Sequence, residues 1–240
     1  MKLTKISLIV LLVITAVFGL NSCSEDKKDE PTPTTVTDID GNVYHAVKIG
    51  TQIWMVENLK VTKYNDGTII PTVTEGTAWQ ALTTGAWCNY NNDAANGAKY
   101  GKLYNWYAVN TGKLAPAGWH VPTDAEWTTL NNYVSANLGT SGSVGKALAA
   151  TTDWSTSTGV GEIGNDLTKN NSTGFSALPA GSRYIDGYFN INYVCNWWSS
   201  TQYDYDIGNA LRRNMGSDNS VLSSWYYNKE GGLSVRCIKD

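Results

Sequence analysis

Apolar and polar positions divide the chain into zones of different period. Residues 6–20 are an apolar run, interrupted only by Ser7 and Thr15, behind Lys2 and Lys5. The run falls short of the roughly 20 residues a spanning helix needs, and its basic flank and short core read as an export signal. Residues 24–37, "SEDKKDEPTPTTVT", contain one large apolar residue, Val36, among mixed charges and Pro31 and Pro33. Such a stretch cannot bury enough surface to offset its ordering entropy, so it reads as a tether stiffened by proline. The period then becomes two. Val43, His45, Val47 and Ile49 alternate with Tyr44, Ala46 and Lys48, and turn pairs at Asp40-Gly41, Gly50-Thr51 and Asp66-Gly67 predict consecutive short strands across residues 36–70. Residues 71–100 lose the period. Trp79, Leu82 and Trp87 predict a short helical turn and a packed loop, "CNYNNDAANGAKYG" predicts an Asn/Gly turn cluster, and "KLYNWYAVN" predicts a strand or extended core segment. Trp127, Leu130, Val134 and Leu138 then recur at helical spacing, with Gly139 as the stop, and a shorter helix is expected over residues 143–150. The last third returns to β-prone runs, "GFSALPAGSRYIDGYFN", "NYVCNWWSST", "GNALRRNM", "SVLSSWYYN" and "GGLSVRCIKD". These predict an antiparallel sheet built mainly from the C-terminal half and packed against the Trp127 helix.

The densest chemistry lies in "GWHVPTDAEWTTL", residues 118–130. Thr123 and Glu126 stand at capping-box spacing: the Thr hydroxyl accepts from the Glu126 amide while the Glu carboxylate accepts from the Thr123 amide. Asp124 and Glu126 also sit at the positive end of the helix dipole, and Pro122 blocks extension backward. These carboxylates therefore have a structural job. A catalytic His120 would need a nucleophile or acid partner, and the sequence signals none. His45 reads as a strand residue. The Asn-rich stretch before Gly101 offers one carboxylate, Asp93, at a spacing unlike the twelve-residue calcium loop. Gly159, Gly161 and Gly164 match a dinucleotide fingerprint in letters only, with no β-rich strand before them and no helix after. No metal or cofactor is expected.

Composition narrows the function classes. The formal net charge is −3, and removal of residues 1–22 would take Lys2 and Lys5 and move it to about −5. No basic patch is legible, so no nucleic-acid partner is expected. Trp (10) and Tyr (14) far outnumber Phe (3), which favours half-exposed aromatics with a polar handle. Cys88, Cys195 and Cys237 remain beside Cys23. In an oxidising compartment they form one disulfide and one free thiol, with Cys195 and Cys237 the preferred pair because both flank core strands; three buried thiols are the alternative.

Residues 20–23, "LNSC", resemble a bacterial lipobox. That resemblance implies cleavage before Cys23, acylation of its thiol, and a membrane anchor made stable by more than one chain. The acidic cluster after Cys23 resembles the surface-export signals of Bacteroidetes lipoproteins, which implies an outer-membrane protein facing outward. "WMVENLKVTKYNDG", "YGKLYNWYAV", "PAGWHVPTDAEWTTL", "GFSALPAGSR", "WWSST" and "SVRCIKD" occur in this order and resemble the Fibrobacter succinogenes major paralogous domain across residues 36–240. Many relatives carry Cys-Pro where this chain has Ala115-Pro116, so a bridge from that position is not implied. More distantly, "VPTDAEWTTL" and "SVRC" resemble segments of formylglycine-generating enzymes, whose fold is a variant of the C-type lectin fold. The resemblance implies an α+β domain with one main helix and irregular loops around a small twisted antiparallel sheet. It does not carry the oxidase chemistry, which needs two closely spaced redox cysteines holding copper; nor is the Trp-Asn-Asp tripeptide of calcium-dependent lectins present.

The resulting expectation is a signal over residues 1–22, a tether over 23–35 and one domain over 36–240. The domain is expected to be a non-enzymatic binding module for glycan or another surface ligand. Tyr203, Tyr205, Trp225 and Tyr226 can stack on sugar rings, with Asp204, Arg212 or Asn228 supplying hydrogen bonds. The bland reading of these aromatics is local cross-strand packing. The alternatives are a structural component of a surface assembly and a degenerate relative of sulfatase-modifying oxidases.

Overall fold

The computed structural model describes residues 34–138, 142–184 and 187–240. The alternating N-terminal segment folds as a meander of β1 (Thr35–Thr37), β2 (Val43–Ile49) and β3 (Gln52–Met55). Gly41 and Gly50 take positive φ at its turns, a region that costs glycine nothing. Thr35, expected to end the tether, is already a strand residue. Two faces of β2 serve two cores. Tyr44 and Ala46 point into one hydrophobic cluster, while Val47 and Ile49 point into another. Val43 and His45 share the second face but stay exposed.

The middle of the chain is built from short pieces: α1 (Gly76–Gln80), β4 (Trp87–Cys88), α2 (Ala94–Tyr100), β5 (Leu103–Tyr104), α3 (Trp106–Val109) and β6 (Trp119–His120). Two expectations are corrected here. The predicted Asn/Gly turn cluster contains α2, started by the Asp93 side chain accepting from the Ala95 amide at 2.8 Å. The segment predicted as extended turns helical at Trp106, where the Asn105 side chain caps α3 and also holds the Ala86 amide at 3.0 Å. Both helices begin at side-chain caps rather than at an apolar stripe, so periodicity does not register them.

α4 (Asp124–Ala136) is the longest helix among the described residues and has the predicted capping box, with the Thr123 amide donating to Glu126 Oε2 at 2.8 Å and the Glu126 amide to the Thr123 hydroxyl at 3.3 Å. Trp127, Leu130 and Val134 are buried along its inner face. The proposed stop, Gly139, lies outside the described residues. α5 (Val144–Leu148) follows, capped by Ser143. The last third forms β7 (Ser182–Tyr184), β8 (Gly187–Phe189), β9 (Val194–Gln202), β10 (Asn209–Gly216), β11 (Ser223–Asn228) and β12 (Ile238–Lys239).

The architecture is α+β with mostly antiparallel sheets. One sheet has the order β1-β2-β3-β12-β6, a second β11-β10-β9, and β4-β5 and β7-β8 form two-stranded ribbons. The predicted C-terminal sheet is thus the second sheet, and α4 lies against it through Arg213. The closing segment ties everything together. The Leu233 amide donates to Tyr104 at 3.0 Å, that of Ser234 to Asn196 at 3.1 Å, and Val235 and Cys237 accept from Leu59 and Met55 at 2.8 and 3.0 Å. Around α4, Trp54, Trp127, Phe175 and Trp197 form an aromatic cluster with ring centroids 4.7–6.1 Å apart. The Arg236 guanidinium covers it, 4.2 Å from the Phe175 ring, and donates to the Asn58 side chain at 3.0 Å.

The expected Cys195–Cys237 bridge is not formed: Cys88, Cys195 and Cys237 are free and buried. Trp197 bridges Ser234 in parallel, so Cys195 precedes that contact and Cys237 follows it. The two thiols belong to different core clusters, Cys195 beside Trp197 and Cys237 beside Tyr44. A disulfide needs Cα atoms within about 7 Å and facing Cβ vectors, which this arrangement does not supply. Among the described residues no helix is long and apolar enough to cross a membrane. The export signal, Cys23 and all but the end of the tether lie outside the described residues.

Candidate ligand-binding face

Two groups of side chains hold the chemistry that the sequence singled out. The first surrounds His120. Its Nε2 lies 2.8 Å from Glu126 Oε1, and its Nδ1 lies 2.6 Å from Asp240 Oδ1. Sequence reading gave His120 no acid partner; the fold gives it two. One comes from the helix that follows, and the other from the end of the chain through the β6–β12 pairing of His120 with Ile238. Glu126 divides its oxygens, Oε2 closing the capping box and Oε1 meeting the imidazole. Burial alone would lower the His120 pKa, but the hydrogen bonds to Asp240 and Glu126 raise it above its ordinary value of 6.5. Both ring nitrogens face carboxylates and therefore act as donors together only in the imidazolium. In that state neither is left to take a proton from the Ser200 that shares a small hollow with His120. The arrangement is a charge-assisted clasp between helix start and chain end. His45 is similarly tied, with Nδ1 2.7 Å from Glu57 on an exposed surface.

The second group is the outer face of the β9–β10–β11 sheet. Register places Arg212 opposite Trp225 and Leu211 opposite Tyr226. The Tyr203 and Tyr226 rings stack at 4.6 Å and 14°, Tyr226 and Trp225 at 5.7 Å and 12°, and Tyr205 leans on Tyr203 at 5.5 Å. Two local pairs some twenty residues apart, Tyr203 with Tyr205 and Trp225 with Tyr226, thus make one strip. It stays open to solvent: Tyr205 is 90 % exposed, Trp225 60 % and Tyr226 41 %. Tyr226 has a stacked ring on either side, Tyr203 and Trp225, while Tyr205 and Trp225 at the ends of the strip keep most of their surface in solvent, so local stacking and exposure coexist.

Beside the strip lie two adjoining hollows of about 360 and 490 Å³ that share Tyr184, Arg212 and Tyr227. Asn196 and Asn214 line the first; Trp225, Tyr226 and Asn228 line the second. Arg212 stands at their junction. A bulge between Ala210 and Arg212 in the β9–β10 pairing sets its direction, and its guanidinium lies 5.1 Å from the Tyr227 ring and donates to Asn196. Of the residues singled out from sequence, Tyr203, Tyr205, Arg212, Trp225, Tyr226 and Asn228 come together, while Asp204 is exposed and outside the lining. Tyr184 and Tyr227 were missed, and their only signal was membership of aromatic, β-prone runs. No group of His, Cys, Asp and Glu able to hold a metal ion occurs among the described residues.

Fold and surface together define an α+β protein with an aromatic-lined open face. The chain belongs to the Fibrobacter succinogenes major domain family, which matches residues 47–239. No curated protein and no solved structure matches it.

Proposed function

We propose that this protein is a lipid-anchored module of the outer membrane, exposed at the cell surface, that binds carbohydrate without transforming it. The carrying observation is the exposed strip Tyr205–Tyr203–Tyr226–Trp225 beside the Arg212 hollows. Aromatic faces left in water suit the apolar faces of sugar rings, and the neighbouring asparagines offer both donors and acceptors to hydroxyls. Hollows of this size are within the range of small-ligand sites. The fold is read as C-type lectin-like, on the support of small antiparallel sheets, one main helix and long irregular segments. The oxidase alternative is disfavoured by thiols that are sealed in the core, where burial pushes those of Cys195 and Cys237 well above the ordinary range and keeps them protonated.

Two experiments test this reading. A glycan array probed with the chain from residue 34 onward, which holds all three core clusters, is expected to show binding that Trp225→Ala abolishes. Silence across every glycan would sink the binding role and leave a structural component of a surface assembly. Metabolic labelling with an alkyne fatty acid in a bacterial host is expected to tag the full chain and to fail on Cys23→Ser. Equal labelling of both would remove the anchor.

A further inference from the structure

Among the described residues, no carboxylate faces Arg212. Its Nη1 is held by the Asn196 side chain, while its Nε is enclosed and has no hydrogen-bond partner. Among the described residues it makes no ion pair, and the described lining of both hollows contains no carboxylate. Arg213, the next residue, shows what a satisfied arginine looks like here: it points to the other face of β10 and meets Asp124 at 2.7 Å. Arg183 and Arg236 are also buried without carboxylates, but their charges are spread over carbonyl oxygens. Arg183 donates to Val73, Thr74 and Glu75 at 2.8–3.1 Å, and Arg236 to Phe175 and Asn58. The Arg236 Nε is also without a partner, yet it is sealed in the core and lines neither hollow. Of these arginines, Arg212 alone lines the two open hollows, and because its Nε is enclosed it meets a ligand there through the outer end of the guanidinium.

A partly buried guanidinium remains charged and is costly without an anion, and its planar fork fits a carboxylate or sulfate. Burial lowers the Arg212 pKa, but it acts on a group that ordinarily stays protonated far above neutral pH. The strip of Trp225 and Tyr226 continues from the same hollow, so a ring whose acidic substituent meets Arg212 has an aromatic face beside it. We infer that the site selects acidic carbohydrate: a sugar bearing a carboxylate or sulfate, with the anion on Arg212 and the sugar ring on the face of Trp225, its cross-strand partner. This rests on the carbohydrate reading above and specifies its ligand class.

The test measures binding of the full-length protein in detergent to three probes. These are an oligouronate, the same oligomer with its carboxyls reduced to alcohols, and a sulfated oligosaccharide of equal length. The expected result is at least roughly tenfold tighter binding of one or both acidic probes over the neutral one, as a charge-assisted pair would give. Arg212→Gln should erase that preference while leaving weak neutral binding, and Trp225→Ala should weaken acidic and neutral probes alike. Should Arg212→Gln fail to fold, the wild-type ratio decides, with Arg212→Lys expected to retain part of the preference. Equal binding of acidic and neutral probes overturns the selectivity and leaves the carbohydrate role intact. No binding of any probe, with a silent array, overturns both.

Discussion

Arg212 and Arg213 are neighbours in sequence and opposite in circumstance, because successive strand side chains face opposite ways. One is locked to the start of α4, and the other waits at a solvent-facing hollow. His120 shows the same dependence on surroundings. Its pairing with Asp240 and Glu126 predicts a pH-dependent contribution to stability. Because its folded pKa is raised, that contribution is full below the ordinary value of 6.5 and fades as pH rises through the folded value. Glu126 behaves oppositely. Burial opposes ionisation, but the Thr123 and His120 contacts win and lower its pKa below 4.5, so its contribution fades only in acid. Thermal melts of wild type and His120→Asn are therefore expected to differ most near about pH 6 and to converge toward about pH 9. A difference that grows with pH would contradict the clasp. The effect is modest because the His120 side chain is 38 % exposed and solvent screens the pair.

At the scale of elements, α4 is the part most fully written in local sequence. Its cap, first-turn acids and inward stripe all lie within fifteen residues, and each acts over three or four positions. Thr123→Ala is expected to cost about 1 kcal/mol, seen as a fall of about 2–4 °C in Tm for a domain of this size. No change would mean that the Glu126 side chain alone holds the first turn. α2 and α3 were not legible in this way. Each is short and starts at an Asp or Asn whose side chain equally suits a turn, so the choice falls to tertiary contacts. Gly97 illustrates this: a Cβ there would meet the Asn89 side chain, so the helix fits only because that position is bare. The strand assignments fared better at β2 and β3 than at the C-terminal run. There, "GGLSVRC" looks like a strand but spends its backbone hydrogen bonds on Arg183, Tyr104, β9, Leu59 and Met55 in turn.

At the scale of the molecule, the α+β class and the family were legible because they follow from local periods and from motifs in a fixed order. The membership of the aromatic face was also legible in part: Tyr203, Tyr205, Trp225 and Tyr226 were singled out as half-exposed aromatics near turns. Their union into one strip was not, nor were Tyr184 and Tyr227, since cross-strand register and the bulge beside Arg212 set which rings meet. The cysteines make the same point in reverse. Counting suggested a bridge, and the crossing of β9 by the closing segment keeps Cys195 and Cys237 in separate clusters. By itself the sequence determined where α4 and the first strands start, which of their faces are apolar and which residues are rich in chemistry, because those depend on neighbours a few positions away. Only the tertiary structure decided that His120 meets the end of the chain, that the thiols stay apart and that Arg212 is left facing an open hollow. Those outcomes depend on segments brought together across tens of residues, and in the case of His120 and Asp240 across 120, and no local period encodes such pairings.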